Sequence, residues 1–136
     1  MHANPAKPPV LDRILIVDDD SDLRTIISLA LHQVGGFTVH VCQSGREALA
    51  SAPAWKPDLI ILDILMPDMD GWQTLTALRA VPQTASTPII MLTATPPANQ
   101  LRPDQRQHML GLIAKPFDPL TLATQVRALW AAAYTR

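Results

Sequence analysis

Five polar side chains in this sequence stand where an apolar run stops. Asp18 and Asp19 follow Ile14-Leu15-Ile16-Val17, Asp63 follows Leu59-Ile60-Ile61-Leu62, Thr93 follows Ile89-Ile90-Met91-Leu92, and Lys115 follows Leu112-Ile113-Ala114. Clustered carboxylates repel one another unless a hard divalent cation with oxygen ligands, typically Mg2+, holds them ionised. Such an ion also draws in a phosphoryl group, whose remaining oxygens suit a hydroxyl donor and a positive point charge. Thr93 and Lys115 are those two groups. Any one of the five alone is explained by an apolar run meeting solvent, so the case for chemistry rests on all five lying in one layer.

That layer requires the runs to be parallel strands, which read as continuous apolar stretches because both faces are covered. Residues 13–17 form the first such run. Beyond it Asp20 or Ser21 can cap a helix over about 22–34, where Leu23, Ile26, Ile27, Ala30, Leu31 and Val34 recur at helical spacing until Gly35-Gly36. Residues 37–42 alternate as a second strand nearer the sheet edge, and Ser44 caps a short helix that Pro53 closes. A third strand covers 59–62, followed by a Pro- and Gly-punctuated loop at 66–71 and a helix over 72–81. A fourth strand spans 88–92, a fourth helix runs from about Pro103 to Leu110, and a short strand covers 111–114. Asp118-Pro119 opens the last helix, with Leu120, Leu122, Ala123, Val126, Leu129 and Trp130 on its apolar face. Strands alternating with helices in this way predict an α/β fold, an open parallel sheet covered on both faces, with ligands outside the carboxyl ends of the strands.

With 136 residues, 48% hydrophobic and 17% charged, the chain suits one core. The reading is a short flexible leader at 1–10 and a single domain over 11–136. No apolar run approaches the roughly 20 residues of a spanning helix, so no membrane insertion is expected. A formal net charge of −1 without a basic cluster argues against a nucleic-acid surface. The lone Cys42 and the absence of a signal-type apolar stretch in the first residues point to the cytoplasm.

The motifs Ile-Leu-Ile-Val-Asp-Asp-Asp at 14–20, Leu-Ile-Ile-Leu-Asp-Ile-Leu-Met-Pro-Asp-Met-Asp-Gly at 59–71, Pro-Ile-Ile-Met-Leu-Thr-Ala at 88–94 and Lys-Pro-Phe at 115–117 occur in that order. Together they resemble the response-regulator receiver domain of two-component signalling, close in organisation to stand-alone chemotaxis-type regulators. The resemblance implies a flavodoxin-like sheet with strand order 2-1-3-4-5 and no output domain. It implies Asp63 as phosphoacceptor, taking a phosphoryl group from a phosphohistidine on a sensor histidine kinase or histidine phosphotransfer protein. Mg2+ would be held by Asp19, Asp63 and the backbone carbonyl of Leu65, with Asp18 joining largely through water. Thr93 would donate to the phosphoryl group, Lys115 would pair with Asp63 or the phosphoryl oxygens, and Lys115-Pro116 would be cis. Self-catalysed phosphorylation and slow hydrolysis would serve a switch that acts through protein contacts, as a monomer or weak dimer, on a target the sequence does not name. Two features depart from the pattern: Leu112 where many receivers carry Tyr or Phe, and a Pro- and Gln-rich stretch at 96–107. Leu112 is the support for an alternative, a pseudo-receiver interaction module without phosphotransfer. A second alternative, a small phosphatase with an aspartyl-phosphate intermediate, is opposed by Asp63-Ile64-Leu65, which is no Asp-x-Asp pair, and by the lack of room for a cap domain.

His2, His32, His40 and His108 show no ligand spacing and read as surface groups, while Trp55, Trp72 and Trp130 read as packing residues, Trp72 being placed to cover part of the acidic mouth. Met66 and Met69 suit either an adaptable partner-facing loop or a cover over the start of the third helix. Leu110, Leu112 and the last helix offer a candidate docking strip.

Overall fold

The computed structural model describes residues 9–94 and 102–134. Strands β1 (Arg13–Val17), β2 (Thr38–Cys42), β3 (Leu59–Asp63), β4 (Ile89–Thr93) and β5 (Gly111–Ala114) form one sheet in the order β2-β1-β3-β4-β5, all pairs parallel. The chain steps from β1 outward to β2, then crosses back to place β3 on the other side of β1. The crevice at the carboxyl ends of β1 and β3 is therefore where strand order reverses.

Helices α1 (Ser21–Leu29), α2 (Gly45–Trp55), α3 (Gly71–Arg79), α4 (Pro103–Gln107) and α5 (Leu122–Tyr134) alternate with the strands. Successive strand side chains point to opposite faces, and both faces are apolar. Ile14, Ile16, Leu59, Ile61, Ile90 and Leu92 pack with α1 and α5, whereas Leu15, Val17, Ile60, Leu62, Ile89 and Met91 pack with α2 and α3. This double covering explains why β1, β3 and β4 read as unbroken apolar runs.

Of the two caps expected for the first helix the structure uses Asp20, and several other local expectations are corrected. The first helix starts on an Asp20 cap, whose side chain accepts from the amides of Asp22 and Leu23, and its last turn widens to a π-helix at Ala30–Val34. Gly35 N–H reaches back to Ala30 O at 3.2 Å, and a side chain at Gly35 would lie 2.8 Å from Ala123 Cβ of α5, so glycine permits this close approach. Pro53 does not close α2. It sits inside the helix, which continues to Trp55 and ends at Lys56 in the left-handed region (φ 57°), because Lys56 N–H still reaches Ala52 O at 3.0 Å. The fourth helix stops short of Leu110, whose amide is drawn into the sheet by Ile89 O at 2.6 Å. The Pro- and Gln-rich residues 95–101 lie outside the described residues, as do 1–8 of the leader. Asp118 makes a turn, not a helix start: its carboxylate accepts Leu120 N–H at 2.9 Å, α5 begins at Leu122, and Leu120 is left 73% exposed. Among the described residues no helix is long and apolar enough to cross a membrane.

Candidate active site

The register pairs Val17 with Leu62, so the next residues, Asp18 and Asp63, leave the sheet side by side. Both are buried, and their carboxylate oxygens lie with one from exposed Asp19 inside a mutual 4.8 Å. Asp18 is held on every side: its N–H donates to Cys42 O at 3.1 Å, Oδ1 accepts Asp20 N–H at 2.9 Å, and its carbonyl accepts Arg24 Nη1 at 2.8 Å. Lys115 Nζ closes the cluster, at 2.9 Å from Asp63 Oδ1 and 3.3 Å from Asp18 Oδ2. Thr93, also buried, ends β4 opposite Ala114, and its carbonyl accepts Lys115 N–H at 2.8 Å. The Lys115–Pro116 peptide is cis. The five strand-end residues expected to meet do share one end of the sheet.

Burial pushes the Asp63 carboxyl above its ordinary value of 3.8, and the charges of Asp18 and Asp19 push the same way, against Lys115. Burial alone would depress the Lys115 ammonium. Its hydrogen bond to Asp63 and the charges of Asp18 and Asp63 outweigh that and raise it above 10.5. Three carboxylates and one ammonium leave a formal −3 + 1 = −2 in the crevice. A hard, oxygen-only donor set short of positive charge fits Mg2+ better than a softer metal.

The chain matches the response regulator receiver domain model over residues 14–127. It belongs to that family. It is 37% identical to the DNA-binding response regulator MtrA of Mycolicibacterium paratuberculosis over 123 residues, covering 85% of this chain and 50% of MtrA. It is 34% identical to the transcriptional regulatory protein PhoP of Bacillus subtilis, covering 86% of this chain and 48% of PhoP. The chain thus spans about half the length of the curated relatives it matches. Among solved structures, chemotaxis protein CheY4 of Vibrio cholerae is 34% identical with a TM-score of 0.74, covering 88% of this chain and 99% of that one. The receiver domain of sensor histidine kinase PA1611 from Pseudomonas aeruginosa, solved with a magnesium ion in its active-site cleft, is 31% identical with a TM-score of 0.71, covering 90% and 99%.

In this receiver the loop after Asp63 is closed by Gly71 N–H bonding Ile64 O at 2.8 Å, and any Cβ on Gly71 would stand 2.5 Å from Asp63 O. Asp70 and Gln73 form a reciprocal capping box at the start of α3, a pair that the Asp-x-x-Gln spacing would have signalled. Leu65 is 68% exposed, whereas Met66 is buried under α2 and α3 and Met69 is half-buried, which favours a cover for α3 over a partner-facing loop. Trp72 is half-buried and packs against the core on the sheet face covered by α2 and α3, as expected of a packing residue. Trp55 stacks under Arg13 at 4.1 Å and near His40, and Trp130 donates from Nε1 to Pro9 O at 2.8 Å. Arg24 is the neighbour of the acidic cluster that sequence reading missed. Its contact is to a backbone carbonyl, which no residue pattern encodes.

Proposed function

We propose that this receiver accepts a phosphoryl group on Asp63 from a phosphohistidine of a histidine kinase or phosphotransfer protein in the cytoplasm, and signals through changed protein contacts. The observation that carries the reading is the Lys115 ammonium bonded to both Asp63 and Asp18 in a crevice that also gathers Asp19. Asp18, Asp19, Asp63 and the Leu65 carbonyl would hold Mg2+, which supplies charge neutralisation for the incoming phosphoryl oxygens.

Asp63 attacks phosphorus through a carboxylate oxygen, forming a P–O bond as the P–N bond to the donor imidazole breaks and its electron pair returns to that nitrogen. Burial and the neighbouring acids raise the basicity of Asp63 and so strengthen it as a nucleophile. Lys115 offers its ammonium to the charge that develops on the phosphoryl oxygens, and the Thr93 hydroxyl donates to one of them. Later attack by water at phosphorus returns the carboxylate and inorganic phosphate.

Acetyl phosphate with Mg2+ should add one phosphoryl group that base or hydroxylamine removes, read by intact mass. Labelling that persists unchanged in Asp63→Asn overturns the assignment. A pseudo-receiver would take up neither the label nor millimolar Mg2+.

A further inference from the structure

Asp63 and Asp18 are fixed by strand ends, burial and Lys115. Asp19 is different: it is exposed, and among the described residues its carboxylate has no hydrogen bond or ion pair. Its place in the acidic trio therefore depends on the peptide plane that joins it to Asp18. One side of that plane is the Asp18 carbonyl, and Arg24 Nη1 binds that oxygen at 2.8 Å. Arg24 itself is anchored one turn into α1, with its N–H on Asp20 O at 2.9 Å, so the guanidinium ties the loop to the helix that follows it.

We infer that Arg24 is a positioning residue for the metal site, holding the Asp18–Asp19 peptide so that Asp19 faces Asp63. Two influences of opposite sign meet in this side chain. As a cation near a cation site it opposes Mg2+; as a tether it arranges an oxygen that Mg2+ needs. The tether dominates, because a bond of 2.8 Å to a backbone carbonyl acts directly on the ligand's geometry, whereas the charge of a partly exposed guanidinium is screened by solvent. Outer partners of metal ligands typically change affinity by about 10- to 100-fold when removed.

The inference rests on the Mg2+ reading of the crevice, and the test separates the two. Mg2+ dissociation constants are measured by calorimetry on the full chain, with the melting temperature of the metal-free form in parallel. Arg24→Ala should weaken Mg2+ about tenfold while the metal-free melting temperature changes little, and Arg24→Lys, which keeps one N–H donor and the charge, should recover part of the loss. Affinity that is unchanged or tighter in Arg24→Ala shows a charge and no tether, and overturns the inference. If Arg24→Ala does not fold, Arg24→Met, which also lacks a donor, takes its place: weaker binding supports the tether, and unchanged or tighter binding overturns it. Wild-type protein that takes up no Mg2+ overturns both the site reading and the inference, whereas wild-type binding with unweakened variants overturns the inference alone.

Discussion

Burial and the carboxylates of Asp18 and Asp19 keep a proton on Asp63 to a higher pH than an exposed aspartate would. The folded state therefore binds that proton more tightly than the unfolded chain, and stability falls as pH rises from 3.8 through the raised value. Ionised Asp63 is thus a destabilising group in the metal-free protein. Asp63→Asn should raise the metal-free melting temperature at neutral pH, by on the order of 1 kcal/mol or about 4 °C. It should also abolish most of the rise that Mg2+ produces in the wild type, and a lower metal-free melting temperature in the variant would contradict this account. Protons and Mg2+ compete for the same oxygens, so Mg2+ affinity should decline on acidification while pH is still above 3.8, which calorimetry across pH would show. Lys115 shifts stability with the same sign at higher pH: its stabilising contribution is full below 10.5 and is lost as pH rises through its raised value. Lys115→Met leaves two buried carboxylates without their cation and should destabilise the metal-free protein by about 1–3 kcal/mol, with Mg2+ restoring part of the loss in denaturant titration.

At the scale of elements, the loop from Asp63 to α3 is set by two devices. Gly71 packs against backbone, with Asp63 O 2.5 Å and Ile64 Cα 2.7 Å from any added Cβ, and neither can move without moving the nucleophile. Gly71→Ala should therefore cost about 1–3 kcal/mol by urea unfolding and slow acetyl-phosphate labelling in the same protein. Asp70→Ala removes only the cap of α3 and should cost about 1 kcal/mol with labelling largely retained. The pair separates a loop that positions chemistry from a cap that only stabilises a helix.

For the whole molecule, the sheet buried on both faces makes its own prediction. Ile60 and Ile61 are neighbours on β3 that point to opposite cores, and both are fully buried. Ile60→Ala and Ile61→Ala should each cost about 2–5 kcal/mol in chemical unfolding. Val41 on the edge strand, 37% exposed, should cost less than about 1 kcal/mol when changed to Ala. A large difference between the two isoleucines would mean that one face of the sheet is poorly covered.

The α/β class and the strand-end residues were legible in the sequence, because parallel strands covered on both sides leave apolar runs and each run stops at a polar group. Helix ends were less legible. Pro53 sits inside α2, which continues past it with Lys56 N–H still on Ala52 O, and the fourth helix stops short of Leu110, whose amide bonds into the sheet. Asp118 looked like a helix start but spends its carboxylate on a turn. Only the tertiary structure decided what depends on contacts between distant segments: the register that sets Asp18 beside Asp63, the 2.9 Å ion pair from Lys115, and the hold of Arg24 on a backbone carbonyl. Residue types show which groups are available for chemistry. Their distances come from strand pairing and packing across the chain, which a local pattern does not encode.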